Sequence, residues 1–357
     1  MLESDEHLVW RTVGSDAIET TRRARILVVS LGGTIASTST DAHQGVIPQL
    51  GARELIAAVP QLSEVADLES LAFLQMPSCD LTLRDVVALA RRIDEEVAAG
   101  VDGVVVTQGT DTIEETSFAL DLLVEGATPV VVTGAMRNPT LASPDGPGNL
   151  LAAVRVAASA AARGLGCLVV LNDEVHAARF VRKTNSSSLA TFQSPGAGAL
   201  GRVSEENVRI ALRCPPLAHV GLVGLVGDVV PDVALLSCAL GDDGRLAGAL
   251  GPAGYRGAVI DGFGGGHVPS SMVPVLEELR RAMPVVFCTR TGSGEVLAHT
   301  YGFAGSEMDL LARGLVAGGA LDGRKARVAL SLALAHARDG EAAVDLFCAV
   351  RDSLSPS

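Results

Sequence analysis

Aromatic side chains are scarce in this chain, at 3% of 357 residues. A large core must therefore be filled by Val, Leu, Ile and Ala. Uninterrupted apolar runs long enough to span a bilayer are missing too. The longest candidate, residues 153–171, carries Arg155 and Arg163, which argues against a membrane partner. Positive charge is in deficit: 28 Lys and Arg face 41 Asp and Glu, for a net charge of −13 and a pI near 5.0. A field of that sign repels phosphate backbones and argues against nucleic acid as a partner. Paired cysteines are lacking. Cys79, Cys167, Cys214, Cys238, Cys288 and Cys348 make no CxxC unit, and most lie in apolar runs. That is the pattern of reduced thiols in a cytoplasmic protein. The acidic opening MLESDEHLVWR does not read as a secretory signal. The histidines make no HExxH spacing, no GxGxxG leads from a strand into a helix, and GxxxxGK[ST] and GxSxG are absent. Neither a metal nor a cofactor is expected.

What is present is abundant apolar material, 48% of the chain, with 19% charged residues and a mean hydropathy of +0.35. That excludes disorder and suits two domains. Strand-like runs that are apolar throughout, ARILVVS, GVVVTQG, PVVVTGA and CLVVLND, alternate with helical patterns such as LTLRDVVALARRIDEEVAAG and GNLLAAVRVAASAAARG. Apolar strands separated by helices predict a parallel sheet covered on both faces. The expectation is an α/β protein. Residues 1–24 read as an extension and 25–203 as a larger, doubly wound and mostly parallel domain. The polar stretch 204–230 reads as a connector. Residues 231–357 form a smaller α/β domain with strands VALLSCAL, GAVIDGFG and PVVFCTR and helices in its tail.

Ligands of parallel α/β sheets bind at the carboxyl ends of the strands. Three of those ends are unusual here: LGGT ending in Thr34, VVVTQGTDT ending in Gly109-Thr110-Asp111, and VVVTGAMR ending at Ala135. In the first two, glycine precedes threonine and a helix follows. Glycine permits a sharp turn and a close backbone approach to a ligand. Free N–H groups at a helix start suit a carboxylate or a developing oxyanion. Each threonine by itself is equally a helix N-cap. A hydroxyl nucleophile needs activation, and candidate bases are few. Lys183, in RFVRKTNSSS, taken alone reads as a surface lysine.

Taken together, the segments LGGTIAS, GVVVTQGTDTIEET, VVVTGAMRNP with ASPDGPGNLLAA, LNDEV, RKTNSSSLATF and KARVALSLALA resemble the bacterial-type L-asparaginase/glutaminase family from about residue 25 onward. The resemblance implies hydrolysis of the side-chain amide of asparagine to aspartate and ammonia. It implies Thr34 as the nucleophile of a covalent acyl-enzyme and Thr110, Asp111 and Lys183 as a hydrogen-bonded cluster. Lys183 then acts either as a base or as a fixed positive charge beside a Thr110 alkoxide. Ser78 would grip the substrate's α-carboxylate, with Cys79 and Gly109 beside it, and Asp111 would hold the α-ammonium. The Ala135 backbone would hold the leaving amide. Glu295 and His267 stand near positions where the family completes the site of a neighbouring subunit, so self-association as a dimer or tetramer is implied. Glu295 reads equally as a surface glutamate.

The chain departs from the family pattern in three places, one of which, Leu31 where a small polar residue is common, reads as a packing change. The loop STSTDAHQGVIPQLG has no tyrosine where the family places one beside the first threonine, and the only tyrosines are Tyr255 and Tyr301. Pro77 and Cys79 flank Ser78 where a glycine and often a glutamine occur, which predicts weaker carboxylate binding. Two alternatives stay open: a glutaminase-asparaginase of broader specificity, and a catalytically weak amino-acid-binding member of the fold.

Overall fold

The computed structural model describes residues 22–33, 35, 37–38, 47–48, 51–225 and 229–354. The first 21 residues, Thr34 and most of the loop that follows it lie outside the described residues. An eight-stranded sheet organises the larger part of the chain. From one edge to the other its strands are Asn207–Ile210, Gly201–Ser204, Glu174–Ala177, Cys167–Leu171, Val130–Thr133, Gly103–Thr107, Arg25–Ser30 and Asp67–Ala72. The five strands from Cys167–Leu171 to Asp67–Ala72 run parallel, and the other three add antiparallel. The apolar strands are buried on both faces, as their composition requires: every residue of Gly103–Thr107, Val130–Thr133 and Cys167–Leu171 is buried.

Two features of the expected layout differ. The polar stretch after residue 203 contains a strand, Asn207–Ile210, that pairs with Gly201–Ser204 through a turn at Glu205 and Glu206. The large sheet thus extends past the expected boundary. Its alternation is weak in sequence because an edge strand has little to bury. In the tail, the run LLARGLVAG splits into a short helix, Glu307–Ala312, and a strand, Val316–Ala317, separated by Gly314 at φ +82°. That strand completes a parallel four-stranded sheet with Val233–Ser237, Gly257–Gly262 and Val285–Thr289.

The helices are set by their ends and their apolar faces. Leu83–Ala98 begins with a capping box: Thr82 Oγ1 accepts from Asp85 N, and the Asp85 carboxylate accepts from Thr82 N. Ile113–Leu123 is buried almost all round because it lies between the large sheet and helix Gly323–His336 of the smaller domain. One apolar cluster accordingly runs through both domains, from Val104 and Phe118 to Leu330, Val259 and Phe347.

The register levels the strand ends. Ala72, Ser30, Thr107 and Thr133 align across four neighbouring strands. The segments leaving those ends therefore meet on one side of the sheet. The closest meeting is backbone on backbone. Gly33 has φ +87°, and a Cβ built on it would lie 2.0 Å from Gly109 N. Only glycine fits there, both by conformation and by space. Gly33→Ala is expected to destabilise the protein by about 2–5 kcal/mol, from left-handed strain and overpacking together. Urea denaturation of the two proteins measures it, and equal midpoints would remove the constraint.

Candidate active site

The carboxyl ends of four adjacent parallel strands supply the floor of the site. After Gly103–Thr107 the chain turns through Gly109 into a short 3-10 turn, Thr110–Thr112, which feeds helix Ile113–Leu123. Thr110 is buried, at 6% exposure. No side-chain cap bond is made at the start of that helix. The Thr110 hydroxyl instead accepts a hydrogen bond from Lys183 Nζ at 2.8 Å. The same amine donates to Asp111 Oδ1 at 2.7 Å. An ammonium has three donors and no acceptor, so one side chain satisfies both partners. Lys183 is no surface lysine, since 16% of its side chain is exposed, whereas Asp111 is open at 67%.

Ser78 is brought to the same place from the segment that follows Asp67–Ala72. Its residue is buried, and a Cβ on Gly109 would meet its Oγ at 2.6 Å. Its carbonyl accepts from Thr112 Oγ1 at 3.0 Å. Cys79, the next residue, is exposed. Gly134 and Ala135 follow Val130–Thr133. A Cβ on Gly134 would meet Gln108 O at 2.6 Å and Thr110 Cγ2 at 3.2 Å, so this segment abuts Thr110 directly. Asn149 Nδ2 holds the Gly134 carbonyl at 2.9 Å. Asp145 accepts from Met136 N at 3.0 Å and Arg137 N at 2.8 Å. The Ala135 backbone is thereby fixed on both sides.

Thr34 lies outside the described residues. Its neighbours Gly33 and Ile35 do not: Gly33 rests on Gly109, and Ile35 is buried against Gly146. Glu295 is exposed, and among the described residues no hydrogen bond or ion pair joins it to Thr110, Asp111 or Lys183. It lines a cavity of about 370 Å³ together with Arg182, Gly292 and Lys325. His267 belongs to the smaller domain. Its Nε2 lies 3.1 Å from Glu307, and its ring packs edge-on against Tyr301 and Phe303. No described tyrosine is hydrogen-bonded to the cluster. Among the described residues, no group of His, Cys, Asp and Glu side chains is placed to hold a metal, and no helix is long and apolar enough to cross a membrane.

Several residues of this site had no role in the sequence reading. Glu114, within TQGTDTIEET, is buried at 4% exposure. Its Oε2 accepts from Lys183 N at 3.0 Å, and its other oxygen pairs with Arg324 of the smaller domain. Asp322 and Lys325 flank that arginine. Asp145 and Asn149 lie in DGPGNL, which sequence alone marks as unusual without saying which atoms it holds. Burial by itself would raise the Asp322 carboxyl. The Lys325 ammonium, the Arg182 guanidinium and the Lys325 backbone N–H outweigh burial and hold it below the usual aspartate value.

A carboxyl depressed in the folded state contributes stability above its unfolded value, near pH 3.9, and loses it as pH falls through the folded value. The unfolding free energy of the parent is therefore expected to drop more between pH 7 and about pH 3 than that of Asp322→Asn. Urea titrations at both pH values check it, and parallel drops would contradict it.

The family model "Asparaginase, N-terminal" matches residues 25–215, and "Glutaminase/Asparaginase C-terminal domain" matches residues 232–347. A protein of Bacillus licheniformis named "L-asparaginase" is 34% identical over 332 residues, covering 91% of this chain and 99% of the relative. A "Glutaminase-asparaginase" of Pseudomonas fluorescens biotype A is 36% identical over 270 residues, covering 73% of this chain and 74% of the relative. The crystal structure of a "Probable Cytoplasmic L-asparaginase from Campylobacter jejuni" superposes with a TM-score of 0.82 at 32% identity, covering 91% of this chain and 99% of that one. With both halves matched in order and both α/β domains in place, the chain belongs to the asparaginase family.

Proposed function

We propose that this protein is an amidohydrolase that cleaves the side-chain amide of L-asparagine to L-aspartate and ammonia. The observation that carries the reading is the Lys183 amine bonded at once to Thr110 Oγ1 and Asp111 Oδ1. The substrate is a small zwitterion. Asp111, largely open to solvent, offers a carboxylate to its α-ammonium. The turn at Ser78 and Gly109 offers donors to its α-carboxylate. The amide then points between the two glycine-preceded threonines and the Gly134-Ala135 backbone.

In this reading Thr34 Oγ attacks the amide carbon and a C–O bond forms. The hydroxyl proton passes to Thr110 Oγ1, held by the Lys183 amine, and from there to the leaving nitrogen, and ammonia departs. Water then hydrolyses the ester and regenerates Thr34. Backbone N–H groups beside the threonines stabilise the tetrahedral oxyanion, worth about 2.7–4 kcal/mol per donor. The ion pair with Asp111 favours Lys183 as a fixed positive charge that stabilises Thr110 as an alkoxide. Cys79 is a weak donor, so substrate affinity is modest. Self-association as a dimer or tetramer belongs to the same reading, with the exposed Glu295 facing a second copy. A cytoplasmic location is supported by the likeness to the Campylobacter protein, a probable cytoplasmic L-asparaginase.

The Pseudomonas relative keeps a broader glutaminase-asparaginase activity in view, and the loop without tyrosine keeps a weak, binding-only protein in view. Ammonia release measured in parallel with L-asparagine and L-glutamine separates them. A strong preference for asparagine is expected. Comparable rates would establish the broader enzyme, and no release from either would overturn the hydrolase reading. Thr34→Ala and Thr110→Ala are each expected to fold normally and to lose turnover at least about a hundredfold, since each removes one member of a unit. Retention of most activity by Thr34→Ala would remove it as the nucleophile.

A further inference from the structure

The chain contains two lysines, Lys183 and Lys325, against 26 arginines. Both lie at one corner where the domains meet. Lys325 is the third residue of helix Gly323–His336 in the smaller domain and is buried, at 2% exposure. Its Nζ donates to the carbonyl of Val181 at 2.5 Å and lies 3.6 Å from Asp322. Val181 stands two residues before Lys183.

We infer that the Asp322-Gly323-Arg324-Lys325 corner of the smaller domain positions the Lys183 amine. The inference rests on the reading of Lys183 as a working residue. Three successive residues of the larger domain are gripped by this corner. Lys325 holds the carbonyl of Val181. Asp322 lies 3.9 Å from the Arg182 guanidinium, which also donates to the carbonyl of Gly292. Arg324 pairs with Glu114, whose other oxygen accepts from the Lys183 backbone N–H. Glu114 lies four residues beyond Thr110, so one carboxylate ties the lysine backbone to the segment that carries the threonine.

The lysine's own strand could not do this. Arg182–Lys183 is two residues long and, among the described residues, pairs only with Phe192–Gln193. Lys183 must therefore take its position from outside the strand. The arrangement is also costly. A buried ammonium needs a partner and hydrogen bonds, and burial pulls Lys325 below its ordinary value even against Asp322 and Glu114. A chain that meets nearly every other need for positive charge with arginine places its second lysine here. A compact ammonium reaches a single carbonyl where the wider guanidinium fork needs more room.

The test uses the full chain with carbon-13 at lysine Cε. Two lysines give two resonances, and Lys325→Met removes one and so assigns the other to Lys183. Arg324→Met, Arg324→Lys and Lys325→Met are compared with the parent in Lys183 resonance position, its titration midpoint, kcat, KM and melting temperature. For Arg324→Met and Lys325→Met, a displaced Lys183 titration is expected, with kcat lower by about tenfold and KM within about twofold. Arg324→Lys should recover most of both changes. A Lys183 titration identical to the parent's in both Met variants would overturn the inference. So would a lower melting temperature with kcat per folded molecule unchanged. If the parent released no ammonia, the hydrolase reading would fail, and the Lys183 resonance would still decide whether this corner positions the amine.

Discussion

A single amine bridging a buried hydroxyl and an exposed carboxylate is the interaction around which this molecule is arranged. Lys183 reaches Thr110 across 73 residues of sequence and Asp111 across 72. No local element brings them together. The parallel sheet sets Ser30, Thr107 and Thr133 level with one another. The glycines then let the segments beyond those ends touch, with Gly33 on Gly109 and Gly134 on the carbonyl of Gln108. The lysine comes from the segment that follows the antiparallel strand Glu174–Ala177.

The smaller domain is part of that arrangement and not an appendage. Its helix Gly323–His336 packs on helix Ile113–Leu123, and the apolar cluster is continuous across the junction. Exposed ion pairs such as Arg245 with Asp243 contribute little to stability. The charges at the junction differ because they are buried or bonded to backbone. Glu114, Asp322 and Lys325 each satisfy a group that would otherwise be left without a partner, and loss of one strands the others.

The sequence made the central strands of the large sheet legible because they are apolar throughout, and three of them lead into glycine. The same feature marked Thr110, Asp111, Gly109 and Ala135 as strand-end residues, and the structure gathers them. Lys183 alone looked like a surface residue, since its burial is created by partners far away in sequence. Glu114 was invisible for a similar reason: a glutamate in the first turn of a helix is ordinary until an arginine from another domain meets it. The strand Asn207–Ile210 was hidden by shortness and polar surroundings, and Val316–Ala317 by its place in an apolar run that reads as one helix. Lys325 opens the matched segment KARVALSLALA, but nothing in that segment says which atom its amine holds. The role of Thr34 rests on its motif, as that residue lies outside the described ones.

The proposed chemistry needs Thr110 and Lys183 to act as one unit. The most direct measurement is kcat for Thr110→Ala, Lys183→Met and the double variant, with asparagine as substrate. Members of a unit are non-additive, so the double variant should be about as slow as the slower single one. Losses that multiply would show two independent contributions and would contradict the cluster as the centre of the mechanism.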